Sequence, residues 1–539
     1  MSSIGIASAN ALNGAPAQPF RYFRDLANLA APPPREQFSF DMSFGSEVSR
    51  APSLPSPPVG RYRLFPFQEA GVAWLKDRST ALLADDMGLG KTVQAIYWGA
   101  ERRPVLVVAP ASLLYNWQAE IQEKWRPGDS VTLLVSGEAE QLPAKLADWT
   151  ITTYSQVGKY LPELQRKGFK AIVIDEAHLV KSLNANRTKD ILDLVAPRKY
   201  VEGQRLIPNR LAVSGTPMLN RPPEIFPLLV FLGKAKRKEW SRFLDDYTER
   251  VSAHGKTMFV GYKNLSELHE RLRPFTLRRL KKDVLKDLPP KRVMPRFVGL
   301  TNAAEYQRAE KNFLEWLKAN VGKAAFERIE SSQQAQILVK MNYLRQLAAE
   351  GKVAAVVDSI RPCDLFGGKS LVFSNFVGVL EDIHERRGGL LYTGETPKRE
   401  REAIVREFQK PGGECLFLGT IGAAGVGITL TAANTAYFVD LPWTPGAKIQ
   451  AEDRIHRIGQ TAESISIVPF LAKRTIDERI LTLLAAKEQV IAQALDGFEA
   501  DRAAEESVTN QLLSQYVGMA QMGQEPPMPP TYESDSEQP

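Results

Sequence analysis

The chain contains 539 residues, of which 44% are hydrophobic and 24% are charged, a balance that excludes a wholly disordered or collagen-like protein. No run of about 18 apolar residues occurs, so the sequence predicts neither a transmembrane helix nor a membrane partner. The two cysteines are too few for a four-cysteine zinc site. The net charge is +7, yet six acids and no Lys or Arg follow Arg502, which leaves +13 on the first 502 residues. That excess fits either a polyanionic partner or a solubilising surface.

The two ends of the chain differ in composition from the middle. Residues 1–60 are rich in Ala, Pro and Ser, with APPP at 31–34, and we predict a loosely ordered N-terminal arm. Residues 501–539 are acidic, polar and contain Pro, and we predict a partly disordered tail. Either end is a candidate docking site for a protein partner. The tail is also a candidate competitor for a polyanion on the basic body.

Short apolar segments fall into two clusters, each with five segments separated by helical stretches. Near-continuous apolar strands of this kind are typical of parallel sheets covered on both faces. The sequence therefore predicts an α/β fold with two parallel-sheet lobes, at 61–235 and 351–500, joined by helical insertions and a basic hinge segment at 236–350. The predicted strands begin at residues 81, 105, 150, 171 and 211 in the first lobe and at 371, 390, 415, 436 and 465 in the second.

The clearest single motif is DDMGLGKT at 85–92, which follows a predicted strand and precedes a predicted helix. A glycine loop in this position binds phosphate because Gly88 and Gly90 let backbone amides approach the anion. In that arrangement Lys91 reaches the β- and γ-phosphates of a nucleotide, and the Thr92 hydroxyl holds Mg²⁺. The general pattern begins with Gly, whereas this chain has Asp85.

DEAH at 175–178 ends an apolar strand, so its carboxylates emerge at the carboxyl edge of the sheet, where α/β folds bind ligands. We expect Asp175 to hold the Mg²⁺ shell and Glu176 to orient and deprotonate the attacking water. Together with the Lys-Thr loop upstream, this pair predicts hydrolysis of ATP.

QAEDRIHRIGQ at 450–460 contains Arg454 and Arg457, whose spacing predicts that both lie on one face of a helix. A guanidinium inserted at a transferring phosphoryl group is typically worth about 10³–10⁵ in rate. Because these arginines belong to the second lobe, hydrolysis would depend on closure of the two lobes. A surface helix paired through Glu452 and Asp453 is the alternative.

These motifs resemble those of the Swi/Snf family of DNA-dependent ATPases, within helicase superfamily two. The resemblance extends from about residue 60 to about residue 490. It implies two RecA-like lobes, and the stretch GVGITLTAANTAYFVDLPWTPG at 425–446 is similar to the branch of fork-remodelling, strand-annealing enzymes. The other matching strings are LFPFQEAGVAWL (64–75), LADDMGLGKT (83–92), VVAPASLLYNW (107–117), TITTYSQV (150–157), LAVSGTPMLNRPPE (211–224), FTLRRLKKDVLKDLPPKR (275–292), LVFSNF (371–376), LYTGETP (391–397) and GTIGAAGVGITLTAA (419–433).

The resemblance also implies residue roles on both sides of the molecule. The implied nucleotide contacts are Gln68 on the base, Asp85, Asp86, Met87, Gly88, Leu89, Gly90, Lys91 and Thr92 in the loop, and Gly427 and Gln460 in the second lobe. Duplex DNA would be held through its backbone, for which small polar residues at strand ends are suited. The candidates are Ser112, Asn116, Thr153 and Tyr154 in the first lobe and Asn375, Thr393, Gly394, Thr420 and Gly422 in the second.

The basic segment 278–292 has three open interpretations: a phosphate contact, a contact between closed lobes, or a solvated helix face. Ser214 and Thr216 are expected to couple nucleotide state to lobe geometry, and His178 is a candidate bridge to them. We expect a monomeric ATP- and Mg²⁺-dependent motor that translocates on double-stranded or branched DNA and remodels DNA structures or protein–DNA complexes. The alternatives are a strand-separating DNA or RNA helicase and a DNA-binding scaffold whose ATPase is silent.

Overall fold

A computed structural model describes residues 63–135, 142, 145–200, 202–253, 256–321, 331–360, 368–424, 428–497, 515–516, 518–520 and 522–532. The predicted N-terminal arm and Gly427 lie outside these residues. Within the described ranges, no helix combines the length and the apolar character that crossing a membrane requires.

Two parallel sheets form the framework, as the α/β prediction expected. Both contain strands that are buried along most of their length, because helices cover each sheet on both faces. All ten predicted strands are present. The strands within the described residues are β1 (Thr80–Leu83), β2 (Val105–Ala109), β3 (Val131–Leu134), β4 (Trp149–Thr153), β5 (Ala171–Asp175), β6 (Asn209–Val213), β7 (Thr248–Ala253), β8 (Lys256–Tyr262), β9 (Thr276–Leu277), β10 (Lys291–Val293), β11 (Arg296–Val298), β12 (Lys369–Ser374), β13 (Leu390–Tyr392), β14 (Leu416–Thr420), β15 (Ala433–Phe438) and β16 (Ile465–Ala472).

The first sheet has the order β3-β4-β2-β5-β6-β1-β9, and the second has the order β10-β16-β15-β12-β14-β13, with β11 also pairing with β16. Every neighbouring pair in both sheets is parallel. The carboxyl ends of all strands in a sheet therefore lie along one edge, which is where the loops with the predicted site residues emerge.

Helices connect the strands and flank both sheets. They are α1 (Pro66–Lys76), α2 (Lys91–Ala100), α3 (Leu114–Ala119), α4 (Tyr154–Lys159), α5 (Leu161–Arg166), α6 (Asn186–Val195), α7 (Phe226–Phe231), α8 (Trp240–Tyr247), α9 (Leu265–Leu272), α10 (Lys281–Val284), α11 (Ala303–Val321), α12 (Ser331–Gly351), α13 (Val353–Ser359), α14 (Val377–Arg387), α15 (Lys398–Gln409), α16 (Ile421–Ala424), α17 (Pro445–Glu452) and α18 (Ile476–Asp496).

The region between the lobes is not helical throughout, which corrects the sequence prediction. It contains the antiparallel hairpin β7–β8 and the short strands β9, β10 and β11. Strand β9 extends the first sheet by pairing with β1, whereas β10 and β11 extend the second by pairing with β16. Residues 276–298, here called the strap, therefore belong to both sheets. Strands of two or three residues carry no detectable alternation, so the sequence pattern could not reveal them.

Helix α18 crosses from the second lobe to the first. It follows β16, and its last turns bury Val490, Ala494 and Leu495 in the apolar core of the first lobe. There the His269 imidazole Nδ1 lies 3.1 Å from the Leu495 carbonyl. The two lobes are thus connected by a packed helix as well as by the strap.

Part of the acidic tail is packed on the body. The Tyr516 side chain is fully buried, and its hydroxyl donates to Glu310 Oε1 at 2.9 Å. Further along, Leu300 donates to the Pro530 carbonyl at 2.7 Å. These contacts lie on α11 and next to β11. The hypothesis that the tail competes with a polyanion on the basic body therefore concerns only tail residues outside the described part.

Candidate functional site

The carboxyl edge of the first sheet is divided between two sets of predicted residues. The phosphate loop follows β1, DEAH begins at the end of β5, and Ser214 and Thr216 follow β6; these three strands are adjacent. The DNA candidates of this lobe follow β2 and β4, which are also adjacent. Strands β5 and β2 are neighbours, so the two sets meet beside Asp175.

The phosphate loop has the backbone that its glycines permit. Gly88 and Gly90 have φ values of +81° and +71°, a left-handed conformation that residues with a Cβ rarely adopt. Gly90 is the N-cap of α2, so the amides of the first turn face the loop. The Lys91 ammonium donates to the carbonyls of Asp85 and Asp86 at 2.8 and 3.0 Å. Burial lowers the pKa of Lys91, although the carboxylates of Glu176 and Asp85 oppose that shift.

The side chains of Asp85 and Asp86 are bonded within the protein, so the expected role of these residues in nucleotide binding stays a prediction that concerns the backbone of the loop. The fully buried Asp85 carboxylate forms an ion pair with Arg279 and accepts from Gln94 at 3.1 Å. The Asp86 carboxylate accepts from the backbone amide of Lys281 at 3.0 Å. Both aspartates therefore attach the phosphate loop to the strap.

The two acids of DEAH occupy different environments. Burial, reinforced by the charge of Glu176, raises the pKa of Asp175 to about 6. Burial also acts to raise the pKa of Glu176, but His178, Lys91 and Arg454 outweigh it and hold that pKa below its usual value. Glu176 has φ +49°, an uncommon conformation for a residue with a Cβ. Glu176 therefore loses its proton at a lower pH than Asp175 does.

Two buried aromatic side chains hold Asp175. Trp117 Nε1 donates to Asp175 Oδ2 at 2.8 Å, and the Tyr154 hydroxyl donates to the Asp175 backbone carbonyl at 2.6 Å. Because the Tyr154 hydroxyl is buried and committed to Asp175, the prediction of Tyr154 as a DNA contact is wrong. The sequence motifs do not identify Trp117 as part of the site.

The predicted bridge from DEAH to the loop after β6 is confirmed. His178 Nδ1 lies 3.2 Å from Glu176 Oε2 and 3.1 Å from the Ser214 hydroxyl. From the same loop, the Thr216 hydroxyl accepts from Gln450 Nε2 of the second lobe at 3.4 Å. A continuous chain of polar contacts therefore runs from Glu176 to the other lobe.

Arg454 and Arg457 face the first lobe, but not from a helix. Helix α17 ends at Glu452, and both arginines lie in the turns that follow, which corrects the prediction of one helical face. Burial and the charge of Arg457 lower the pKa of Arg454 to about 10, and the nearby Glu176 carboxylate opposes that shift. A Cβ built on Gly88 would lie 2.7 Å from the Cβ of Arg457. The structure thus brings both arginines to the phosphate loop and DEAH.

The strap also connects the two lobes by ion pairs. These pairs favour the interpretation of segment 278–292 as a contact between closed lobes. Arg278 pairs with Asp496 of α18 and lies 3.5 Å from Asp86. Lys281 Nζ lies 2.5 Å from Asp453 Oδ1, and Lys291 Nζ lies 2.7 Å from Glu452 Oε2. Glu452 and Asp453, which the alternative interpretation placed on a salt-bridged surface helix, are instead buried partners of the strap.

The other nucleotide candidates differ in what their side chains do. Gln68 is buried, packs on Gly90 and donates to the Leu89 carbonyl at 3.1 Å. Met87 and Leu89 are buried within the loop. Gln460 donates to the carbonyls of Ala433 and Ile455 at 2.8 and 2.9 Å, so its amide stabilises the turn after Arg457 rather than facing the loop.

The DNA candidates lie at strand ends in both lobes, but only some are accessible. Ser112, Asn116, Asn375, Gly394 and Gly422 are exposed, and Thr153 is half-buried as the N-cap of α4. Thr393 and Thr420 are buried, which contradicts their prediction as DNA contacts through the side chain. The Thr393 hydroxyl instead accepts from the Glu395 amide in the turn after β13.

Asn375 is held by a network that the sequence analysis missed. The Asp440 carboxylate accepts from the Ser374 hydroxyl at 2.6 Å and from the Asn375 backbone amide at 2.9 Å. The buried Arg345 of α12 donates to the same carboxylate at 3.1 Å. Helix α12 therefore positions the turn after β12.

Two domain families match the chain. Residues 67–352, more than half of the chain, match the SNF2-related domain, and residues 351–459 match the helicase conserved C-terminal domain. These matches cover both sheets except strand β16 and confirm the resemblance inferred from the motifs.

Curated relatives agree with these families. The chain is 32% identical over 467 residues to the DNA annealing helicase and endonuclease ZRANB3 of Homo sapiens, covering 83% of this chain and 42% of that protein. It is 33% identical over 452 residues to the SWI/SNF-related matrix-associated actin-dependent regulator of chromatin subfamily A-like protein 1 of Xenopus laevis, covering 80% and 44%. The chain thus spans less than half the length of these two relatives.

Among solved structures, the Sulfolobus solfataricus SWI2/SNF2 ATPase core in complex with dsDNA is 26% identical, with 82% of this chain and 96% of that chain covered and a TM-score of 0.40. Because the SNF2-related match covers more than half of the sequence and the helicase C-terminal match continues it, the chain belongs to the SNF2-related family of helicase-like ATPases.

Proposed function

We propose that the chain is a motor that hydrolyses ATP at the interface of its two lobes, moves along double-stranded DNA and remodels DNA structures or protein–DNA complexes. One observation carries this proposal. Arg454 and Arg457 of the second lobe face Glu176 and Gly88 of the first, so the catalytic groups are complete only when the lobes are closed.

The chemistry follows from the residues at this interface. The amides of the loop and the Lys91 ammonium would bind the phosphates, and Arg454 and Arg457 would stabilise the charge that develops in the transition state. Glu176, held ionised by His178 and Lys91, would orient the attacking water and accept its proton.

A divalent cation fits the same place. The Thr92 hydroxyl and the Asp175 carboxylate supply oxygen atoms, the ligands that Mg²⁺ prefers. When bound, Mg²⁺ would neutralise charge on the phosphates. Its charge would also lower the pKa of Asp175 below the value of about 6 that burial produces in its absence.

The DNA side of the proposal rests on the exposed residues at the strand ends. Ser112 and Asn116 in the first lobe and Asn375 and Gly394 in the second present hydroxyl, amide and backbone groups that suit phosphate oxygens. The excess of positive charge on the first 502 residues supports a polyanionic partner. The name of the relative ZRANB3, a DNA annealing helicase and endonuclease, supports DNA with unannealed strands as the substrate to be tested first.

The experiment is a measurement of ATP hydrolysis by the full chain with duplex DNA, single-stranded DNA, RNA or no nucleic acid. We expect the largest stimulation by duplex DNA and its loss in Lys91→Ala, with Lys238→Ala as a control because Lys238 is exposed and far along the chain from the site. Equal rates with and without nucleic acid would defeat the proposal, and no hydrolysis under any of these conditions would favour a scaffold whose ATPase is silent. Displacement of a third strand from a triplex without separation of the duplex would then distinguish translocation from unwinding.

A further inference from the structure

Asp175 is fixed from three directions by hydrogen bonds. Its carboxylate accepts from Trp117 Nε1 at 2.8 Å and from the Glu176 amide at 2.9 Å, and its backbone carbonyl accepts from the Tyr154 hydroxyl at 2.6 Å. The bonded carbonyl and amide belong to the one peptide group that joins Asp175 to Glu176. Trp117 therefore sets the direction of the Asp175 carboxylate. Tyr154 fixes the peptide group that precedes Glu176, whose backbone is left-handed.

The two aromatic residues come from the segments that carry the DNA candidates of the first lobe. Trp117 lies in α3, directly after the exposed Asn116, and Tyr154 begins α4, directly after Thr153. These segments follow β2 and β4, whereas Asp175 ends β5, the other neighbour of β2. In the first segment Asn116 is exposed and Trp117 reaches inward to Asp175; in the second Thr153 is half-buried and Tyr154 reaches inward to the same residue.

The inward-facing contacts are buried and specific. Trp117 is fully buried and Tyr154 is 6% exposed, so water cannot replace either hydrogen bond at low cost. By contrast, the α-helical parts of these segments are short: α3 has six residues and runs directly into a π-helix at Glu120–Trp125, and α4 has six residues, so neither is stable without the packing around it. A ligand that orders the outer surface of these helices would therefore also order the groups that hold Asp175.

We propose that Trp117 and Tyr154 are positioning residues through which duplex DNA, bound at the ends of β2 and β4, orders Asp175 and Glu176 for binding and hydrolysis of the magnesium–nucleotide complex. This inference rests on the proposed function, because it takes Asp175 and Glu176 as the acids of the ATP site. Coupling of this kind is reciprocal: if DNA tightens nucleotide binding by some factor, nucleotide tightens DNA binding by the same factor.

The test compares Tyr154→Phe and Trp117→Phe with two matched controls in the full chain. Trp149→Phe removes a fully buried indole that donates to Asp129 at 2.9 Å, and Tyr247→Phe removes a buried hydroxyl 3.3 Å from Glu267. Two quantities are measured with and without duplex DNA: the affinity for a fluorescent ATP analogue as a function of Mg²⁺ concentration, and kcat and KM for ATP.

In the wild-type chain we expect duplex DNA to raise both the affinity for the magnesium–analogue complex and kcat. In Tyr154→Phe and Trp117→Phe we expect the factor by which duplex DNA raises each of these quantities to fall about tenfold, as the loss of one buried hydrogen bond predicts. The affinity for duplex DNA in the absence of nucleotide should be unchanged. Both controls should retain the wild-type factors. Trp117→Phe should also require more Mg²⁺ for half-maximal binding of the analogue, because it frees the Asp175 carboxylate directly.

Wild-type factors in Tyr154→Phe, whose ring volume is conserved, would overturn the inference even if Trp117→Phe does not fold. A wild-type chain whose kcat responds to duplex DNA but whose analogue affinity does not would also overturn it, while leaving the proposed function intact. If duplex DNA changes neither the analogue affinity nor kcat of the wild-type chain, the proposed function is contradicted, and the inference with it.

Discussion

Arg457 of the second lobe occupies the space that a side chain on Gly88 of the phosphate loop would need. A Cβ at Gly88 would lie 2.7 Å from the Cβ of Arg457 and 3.4 Å from its Cα, and the φ of Gly88 is +81°. The absence of a side chain in the loop thus allows the two lobes to approach each other closely at the proposed ATP site.

Gly88→Ala should therefore oppose lobe closure. We expect DNA-stimulated hydrolysis to fall at least tenfold, because the added methyl group both strains the loop and meets the Cβ of Arg457. The control is Gly412→Ala, where φ is +70° but a Cβ would meet open space. If steady-state hydrolysis falls equally in both variants, left-handed strain alone explains the loss and the contact with Arg457 has no role.

Arg454→Ala should lower kcat by about 10³, with little change in binding of an ATP analogue, because its guanidinium is proposed to act on charge that exists only in the transition state. Arg454→Lys should restore little of this activity, since an ammonium cannot reproduce the bonds of Arg454 to the carbonyls of Gln450 and Ile428. The control is Arg386→Ala, which removes an exposed pair with Asp382. A normal kcat in Arg454→Ala would refute this role.

Asp496→Ala should destabilise the interface of the lobes. It leaves the Arg278 guanidinium without the partner that α18 supplies, and the loss of one member of a largely buried pair costs about 3 kcal/mol. The measurement is chemical denaturation monitored by tryptophan fluorescence. Glu270→Ala breaks an exposed pair with Arg273 and should change the free energy of unfolding by less than about 1 kcal/mol. Equal effects of the two variants would contradict the prediction.

Acidification should destabilise the chain partly through His456. Burial and the nearby Lys281 lower the pKa of this imidazole from 6.5 to about 4, and its Nε2 lies 3.1 Å from the Pro289 carbonyl of the strap. Between these two pH values the unfolded chain binds a proton that the folded chain does not, so the free energy of unfolding decreases as the pH falls from 6.5 towards 4.

Thermal melting of His456→Gln over this pH range tests the point, because glutamine can still donate to Pro289 but does not titrate. We expect a smaller fall in Tm on acidification than in the wild-type chain. His384→Gln, which changes an exposed histidine, should follow the wild-type curve. Parallel curves for His456→Gln and the wild type would show that His456 does not contribute.

Local pattern was sufficient to predict the framework. Strand β2 is apolar at every position, and β5 is apolar at every position before Asp175, because both faces of a parallel sheet are covered. A run of consecutive apolar residues is visible in the sequence. The phosphate loop and DEAH were likewise predictable, because each depends on a short string whose position at a strand end fixes its direction.

Contacts between distant residues were not predictable in this way. Arg278 and Asp496 are separated by 218 positions, and nothing in either neighbourhood of the sequence indicates the other. The same reason explains why two partners were not predicted: Arg279 for the Asp85 carboxylate and Asp175 for the Tyr154 hydroxyl. A polar group in a motif was assigned to a ligand, whereas the folded chain had already satisfied it.

The sequence alone therefore determined the two sheets and which loops lie at their carboxyl edges, because burial and glycine conformation act over a few neighbouring residues. Only the tertiary structure decided which side chains at those edges are accessible, which are held by other parts of the protein, and that Arg454 and Arg457 reach the first lobe from turns rather than from a helix. These outcomes depend on how the surfaces of the two lobes meet. The free energy of that contact comes from pairs of residues that lie far apart in the chain.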